Sequence, residues 1–223
     1  MTSLSARRIL LGVAAVVVVL LVAAAVALFT PVLAVRTVSI EGLVAVPQSQ
    51  VRDVLKVPDG VSMLRLNTDA IAERVAAIPR VRSARVQRVF PSTVRVSVVE
   101  RTPVLYFDSP QGAHLLDADG VEFAIQPPPP GVPKLTTKHP GGSDPVTRAA
   151  VAVATTLPPG LRVQVGEVVA RSVSDIALNL RDGRTVLWGG SDDSARKAAV
   201  VGPVLTRPGQ VYDVSSPDLV TVR

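Results

Sequence analysis

Residues that catalyse reactions or bind metals are sparse in this sequence. Histidine occurs only at positions 114 and 139, and the absence of cysteine excludes thiolate nucleophiles and thiolate metal sites. The nearest approach to a metal cluster is His114 with Asp117 and Asp119. Asp residues next to a glycine such as Gly120 more often form a turn in which they accept hydrogen bonds from their own backbone. We therefore predict a turn, and neither a metal site, a cofactor nor a catalytic residue.

A second acidic group, Asp192 and Asp193, comes directly before Ser194 and the segment SARKA. Acidic and hydroxyl side chains stabilise a helix N-terminus by accepting hydrogen bonds from its free N–H groups. We predict that these three residues cap a helix. The neighbouring glycine pairs lack the pattern of a nucleophile elbow, so nothing here indicates hydrolase chemistry.

The third candidate chemistry is nucleic-acid binding by residues 78–103, IPRVRSARVQRVFPSTVRVSVVERTP, which contain six arginines and one acid, Glu100. Val94, Val96 and Val98 alternate with polar residues, which is the pattern of a strand with one buried face. Only Phe90 is available to stack on a base, and a net charge of +6 is modest for 223 residues. We predict a β-hairpin whose arginines face water, without bound nucleic acid.

The location of the chain is indicated by residues 9–29, ILLGVAAVVVVLLVAAAVALF, which contain no charge, amide or proline. As a helix this run would rise about 31 Å, enough to cross the hydrocarbon core of a bilayer of about 30 Å. Arg7 and Arg8 precede it, so the positive-inside rule keeps residues 1–8 in the cytoplasm and places the remainder outside. A cleaved signal peptide ending near VLA at 32–34 is the alternative, but its apolar stretch is usually about 7–15 residues. We expect an uncleaved anchor.

The elements that follow predict two domains. Residues 35–103 have the order strand, helix, helix, strand, strand, in which the two helices must cover one face of a three-stranded sheet. Residues 104–223 are richer in strands, with a hairpin turn at Asp182 and Gly183, helices at Pro145–Leu157 and Ser194–Thr206, and a tail, VYDVSSPDLVTVR, of one or two strands broken at Pro217.

Together these motifs resemble the POTRA domain and the following domain of the FtsQ/DivIB cell-division proteins, particularly of actinobacterial members. The fold class is then α+β: a single N-terminal transmembrane helix, a POTRA domain (β-α-α-β-β) at 35–103, and a β-rich C-terminal domain with flanking helices at 104–223. The ending ER.P and a lysine after LWGG carry part of the resemblance. The positions that match are Val38, Ile40, Gly42, Leu64, Leu66, Pro79, Val81, Ala84, Val86, Arg88, Pro91, Glu100, Arg101, Pro103 and Lys197.

The resemblance implies a non-enzymatic scaffold that links early and late division proteins at the septum. Its implied partners are FtsB- and FtsL-like proteins, with FtsW-, FtsI- and FtsK-like divisome members, and no small-molecule substrate. In the family the last strands offer an edge to which FtsB adds a strand. Carried onto this sequence, the partner-binding candidates are Tyr212, Asp213, Val214, Ser215, Ser216 and Pro217. A POTRA-bearing envelope assembly or secretion factor is the alternative function.

Overall fold

The computed structural model describes residues 12–20, 22, 33–58 and 60–223. Of the predicted span at 9–29, residues 12–20 and 22 are helical, and the remaining positions lie outside the described residues, as does the predicted cytoplasmic head at 1–8. Among the described residues, no helix has both the length and the apolar character needed to cross a membrane. The chain divides into two compact units, Met1–Glu100 and Arg101–Arg223.

The first unit has the strand and helix order that the sequence predicts. Its β-hairpin is the predicted one, and the Phe90–Pro91 peptide bond in the turn is cis. The elements are β1 (Thr37–Glu41), α1 (Gln48–Leu55), a 3₁₀ turn (Met63–Arg65), α2 (Thr68–Ala76), β2 (Val81–Val89) and β3 (Thr93–Glu100).

Strand β3 lies in the centre of the first sheet, parallel to β1 and antiparallel to β2. Its alternation buries Val94, Val96 and Val98 on the face that the two helices cover. The helices contribute Val51 and Leu55 from α1, and Ile71 and Val75 from α2, to the same core. Two helices therefore cover one face of a three-stranded sheet, as the sequence predicts.

The second unit contains one sheet of nine strands in the order β12-β11-β10-β9-β8-β7-β4-β5-β6. Its strands are β4 (Leu105–Ser109), β5 (Gly112–Leu116), β6 (Glu122–Ile125), β7 (Lys134–Thr136), β8 (Val165–Ser172), β9 (Asp175–Leu180), β10 (Thr185–Gly189), β11 (Val211–Asp213) and β12 (Thr221–Val222). Its helices are α3 (Pro145–Thr156), α4 (Pro159–Arg162) and α5 (Ser194–Val204).

The core of the second unit lies between the sheet and the helices α3 and α5. Trp188 on β10 is fully buried in it, together with Val153 from α3 and Val201 from α5. The indole Nε1–H donates to the Ser194 hydroxyl at 3.1 Å, so the polar atom of this large side chain keeps a partner inside the core. Burial of the tryptophan thereby fixes the start of α5 against β10.

Two local predictions in the second unit, the capping by Asp192, Asp193 and Ser194 and the two-residue turn at Asp182 and Gly183, were wrong in detail. Asp193 precedes α5 in a left-handed conformation (φ 53°) and makes no capping hydrogen bond, and the Ser194 hydroxyl donates instead to the Ser191 carbonyl. The β9–β10 turn has three residues, because the Leu180 N–H donates to the Arg184 carbonyl and only Gly183 within the turn has a positive φ. The helix predicted at Ser194–Thr206 is present as α5, and Pro203 lies in its last turn, where a proline removes only one N–H donor.

Candidate partner-binding site

The C-terminal tail forms the last two strands of the nine-stranded sheet. Strand β11 is parallel to β10 on one side and antiparallel to β12 on the other, with Tyr212 opposite Val222 and Asp213 opposite Thr221. Both sides of β11 are therefore already paired. The edge at this end of the sheet is the two-residue strand β12, which lies outside the predicted contact segment at 212–217.

Two of the predicted contact residues are core residues. Tyr212 is 1% exposed, and its hydroxyl donates to the carbonyl oxygens of Arg207 (2.7 Å) and Gly209 (2.9 Å). The Arg184 guanidinium lies 5.7 Å from the centre of the Tyr212 ring. Val214 is fully buried, and its N–H donates to the Leu187 carbonyl at 2.9 Å. Their side chains stabilise the sheet and offer no surface to a partner.

The other four predicted residues lie at or near the surface. The Asp213 carboxylate accepts from both the N–H (3.0 Å) and the hydroxyl (2.6 Å) of Ser215, which closes a local turn as the chain leaves β11. Ser215 and Ser216 are exposed, and Pro217 is half-buried. This turn leads directly to β12, so the four residues flank the edge of the sheet.

The residues that form the edge itself were missed in the sequence. Val211 and Arg223 exchange two backbone hydrogen bonds of 2.9 Å, so they form a hydrogen-bonded pair. The neighbouring pair, Tyr212 and Val222, is then a non-hydrogen-bonded pair, and the N–H and C=O of Val222 point away from the sheet. Leu219, just before β12, is 74% exposed. The alternating sequence LVTV at 219–222 was the available signal.

Lys197, the lysine that the resemblance matched, is also internal. It is 3% exposed, and its Nζ donates to the Gly190 carbonyl at 3.0 Å. The ammonium group therefore stabilises the loop between β10 and α5. Because its Nζ is held inside the unit, Lys197 presents no charge at the surface for a partner to contact.

The His114 cluster is structural. The Asp117 carboxylate accepts from the N–H groups of Asp119 (2.9 Å) and Val121 (2.8 Å) and pairs with Arg101, as the predicted turn requires. His114 pairs through Nδ1 with Glu122, and its ring stacks on Phe107 with 4.8 Å between the ring centres. Within the part of the chain that the structure describes, no three His, Cys, Asp or Glu residues lie close enough together to hold a metal ion.

Two family models and several curated proteins match this chain. Residues 33–101 match the FtsQ-type POTRA domain, and residues 105–216 match the C-terminal domain of cell division protein FtsQ/DivIB. The sequence is 32% identical over 214 residues to cell division protein FtsQ of Corynebacterium glutamicum, covering 95% of this chain and 96% of that protein. The chain belongs to the FtsQ/DivIB family.

The identity to mycobacterial FtsQ proteins is higher, although the matched region is a smaller share of them. Over 195 residues, 87% of this chain, it is 50% identical to FtsQ of Mycolicibacterium smegmatis and of Mycobacteroides abscessus. The matched region covers 59% and 63% of those two proteins. FtsQ proteins are non-enzymatic scaffolds of cell division, which confirms the expectation that this chain is not an enzyme.

The family motif ER.P has a physical explanation in the structure. The Glu100 carboxylate accepts from the backbone N–H groups of Val44 (2.7 Å), Ala45 (2.9 Å) and Val46 (2.9 Å), which fixes the loop before α1. Burial raises the pKa of this carboxyl, but the three N–H groups and Arg80 lower it by more, so the pKa lies below its usual value. Arg101, the next residue, pairs with Asp117 in the second unit. Each motif residue stabilises a different unit.

The arginines of residues 78–103 also have structural roles. Arg88 donates to the carbonyl oxygens of Met63 (2.7 Å), at the start of the 3₁₀ turn, and of Leu66 (2.5 Å), directly after it. Arg95 pairs with Glu41 on β1 at 3.3 Å. These bonds hold the segment between α1 and α2, and the edge strand β1, against the hairpin. The arginine-rich segment is therefore a scaffold of the POTRA-type unit.

Proposed function

We propose that this protein is a membrane-anchored scaffold of the bacterial divisome, concentrated at the division septum. Residues 9–29 span the membrane, residues 1–8 lie in the cytoplasm, and both compact units lie outside. The match over nearly the whole length of the corynebacterial division protein carries this proposal. The FtsQ type of the matched POTRA domain favours it over an envelope assembly or secretion factor.

The second unit binds an FtsB-like partner by strand addition at β12. The outward N–H and C=O of Val222 are the groups with which an incoming strand pairs. Leu219, which is 74% exposed, supplies an apolar contact beside that edge. Asp213, Ser215, Ser216 and Pro217 flank the same edge and extend the contact, whereas Tyr212 and Val214 support it from the core.

We infer the remaining divisome contacts of this protein from its family. An FtsL-like protein accompanies the FtsB-like partner, and the POTRA-type unit recruits FtsW-, FtsI- and FtsK-like members. The β12 edge of the second unit is suited to one extended segment, so the other contacts require other surfaces. The outcome is a physical link between early and late division proteins at one membrane position.

Depletion of the protein tests its role in division. Cells that lack it should grow into filaments without septa, and a fluorescent copy of the full chain should gather at mid-cell. Restoration of the unaltered chain should restore septa, which controls for the depletion itself. Normal septa in depleted cells together with diffuse label would refute the division role.

The binding edge is tested by Val222→Pro in the full chain. Because the Val222 N–H points away from the sheet, proline removes the outward donor and leaves the hydrogen bonds to β11 intact. Val222→Thr is the matched control, since it has a similar shape and keeps the N–H. Co-purification with the FtsB-like protein should fall at least tenfold for Val222→Pro and persist for Val222→Thr.

Substitution at Val214, by contrast, does not separate binding from folding. Proline there removes the 2.9 Å bond to the Leu187 carbonyl inside the core, so it disrupts the sheet as well as any partner contact. If Val222→Pro retains full partner binding while the chain still reaches mid-cell, the strand-addition site is wrong and the scaffold role stands.

A further inference from the structure

The first unit has an edge strand of its own, β1. The sheet order β1-β3-β2 leaves one side of β1 without a neighbouring strand in the part of the chain that the structure describes. The Thr37 N–H donates to the Ser92 carbonyl, so in this parallel pair residues 37, 39 and 41 direct their backbone groups to β3. Val38 and Ile40 therefore direct their N–H and C=O groups outward.

This edge lacks most of the features that usually prevent strand pairing. Protected edges carry charged side chains, proline or a bulge, whereas β1 has the sequence TVSIE, with a charge only at its last residue, and a regular register with β3 throughout. Next to it is a groove of about 400 Å³ whose described lining residues are Val38, Leu55, Val57 and the charged Arg52. An unpaired edge beside a partly apolar groove accommodates an added strand with an apolar side chain.

The outward backbone groups of β1 are arranged symmetrically about Ser39. When a second β1 runs antiparallel with the twofold axis at Ser39, Val38 lies opposite the partner's Ile40, and Ile40 lies opposite the partner's Val38. Both pairs are hydrogen-bonded pairs because all four residues direct their N–H and C=O outward. A second copy therefore satisfies every outward group of Val38 and Ile40 with four hydrogen bonds.

Side chains and charges agree with the same register. Val38 and Ile40, both half-buried, meet the partner's apolar pair at the mouth of the groove. On the opposite face Ser39 meets the partner's Ser39. Thr37 lies opposite the partner's Glu41, whose carboxylate pairs with Arg95 within its own copy. No like charges lie opposite each other within the strand.

We propose that β1 pairs with β1 of a second copy of this chain, antiparallel about Ser39, and that the two three-stranded sheets join into one six-stranded sheet. The contact consists of two short strands and the side chains beside them, so the area that it buries is smaller than the area buried in a stable dimer. The dimer therefore dissociates on dilution. Anchoring in the membrane, which rests on the proposed function, would favour dimer formation because it concentrates the chains.

A cysteine cross-link tests this register directly, because the natural chain contains no cysteine. Ser39 and the partner's Ser39 form a non-hydrogen-bonded pair with Cα atoms about 4.5 Å apart, a separation that a disulfide spans. Ser97→Cys is the matched control: it is half-buried on the same face of β3, and two copies of it are at least about 14 Å apart. In membranes that hold the full chain, mild oxidation should convert Ser39→Cys to dimer at least tenfold faster than Ser97→Cys.

Two further variants separate pairing from folding. Ile40→Pro removes an outward donor and no bond to β3, so in the Ser39→Cys background it should reduce cross-linking at least tenfold. Ser39→Lys places like charges across the twofold axis and leaves the core unchanged. Sedimentation equilibrium of the full chain in detergent should show a dimer at high concentration. Both Ile40→Pro and Ser39→Lys should lower the apparent mass towards that of the monomer.

Equal cross-linking of Ser39→Cys and Ser97→Cys would overturn the proposal. A detergent-solubilised chain that remains monomeric at every concentration would also overturn the proposal. In that case the β1 edge would be open to another protein. If Ile40→Pro loses its circular dichroism signal, Ser39→Lys decides the question, since its side chain lies on the face away from the helices.

Discussion

The loop at Val44–Val46 is held by one side chain, Glu100, and this contact supports a quantitative prediction. Its Oε1 accepts from Val44 and Val46, and the Ala45 N–H is shared between Oε2 at 2.9 Å and Oε1 at 3.1 Å. Glu100→Gln replaces one carboxylate oxygen by an NH₂ group. This group then lies next to the Ala45 N–H, and two donors cannot form a hydrogen bond with each other. The remaining carbonyl oxygen can still accept from Val44 and Val46, although without the charge. We expect the free energy of unfolding of the first unit to fall by about 2–3 kcal/mol, since a hydrogen bond to a charged group contributes about 1.5–3 kcal/mol.

Hydrogen exchange measured by mass spectrometry is the suitable assay, because the only tryptophan, Trp188, lies in the second unit and does not report on the first. Amides of Val44–Val46 should exchange about 30- to 150-fold faster in Glu100→Gln, which corresponds to 2–3 kcal/mol. Glu41→Gln is the control in the same unit. Its 3.3 Å pair with Arg95 is about half exposed on both sides, so its loss should cost less than about 1 kcal/mol. Equal effects of the two variants would refute the assigned role of Glu100.

Three other results are expected. Asp117→Ala should destabilise the second unit by about 3–5 kcal/mol, measured by Trp188 fluorescence in urea, because it leaves the 16% exposed Arg101 side chain without its buried counter-charge. Gly42→Ala should destabilise the first unit by more than about 2 kcal/mol, since its Cβ would lie 2.0 Å from the Val98 carbonyl oxygen at φ +87°, and circular dichroism should show earlier unfolding. The stabilisation from Glu100 should be complete above the unfolded pKa of 4.5 and should be lost as the pH falls through the lowered folded pKa. In acid titrations Glu100→Gln should abolish this pH dependence of the free energy of unfolding.

Elements with strong local patterns were predictable from the sequence. Alternation in β3 identified its buried face, and Asn67 is a helix N-cap of the type that local sequence favours, because its Oδ1 accepts from the Ala70 N–H at the start of α2. The turn at Asp117 was predictable for the same reason, since it depends on hydrogen bonds between residues four or fewer positions apart. In each case the determining contact is local in sequence.

Features that depend on which side chain becomes buried in the core were not predictable. The sequence WGGSDDSARK favours capping by Asp192 and Asp193, yet the need of the buried Trp188 indole for an acceptor assigns Ser194 to a different bond. Likewise, the sequence around Lys197 does not indicate that the Gly190 carbonyl accepts a hydrogen bond from the Lys197 Nζ. Tertiary hydrogen bonding overrides local preference at these positions.

The assignment of the sheet edges shows the same limit with a functional consequence. Strand patterns at Tyr212 and at Val222 are similarly short, and the family resemblance indicated residues 212–217 as the contact segment. Pairing with β10, whose partner residues are some 25 positions away, makes β11 internal and leaves β12 outside. A partner that reads backbone groups can reach only the outermost strand. Residues that bind by strand addition are therefore identified by sheet order, and side-chain identity in the sequence is a weak guide to them.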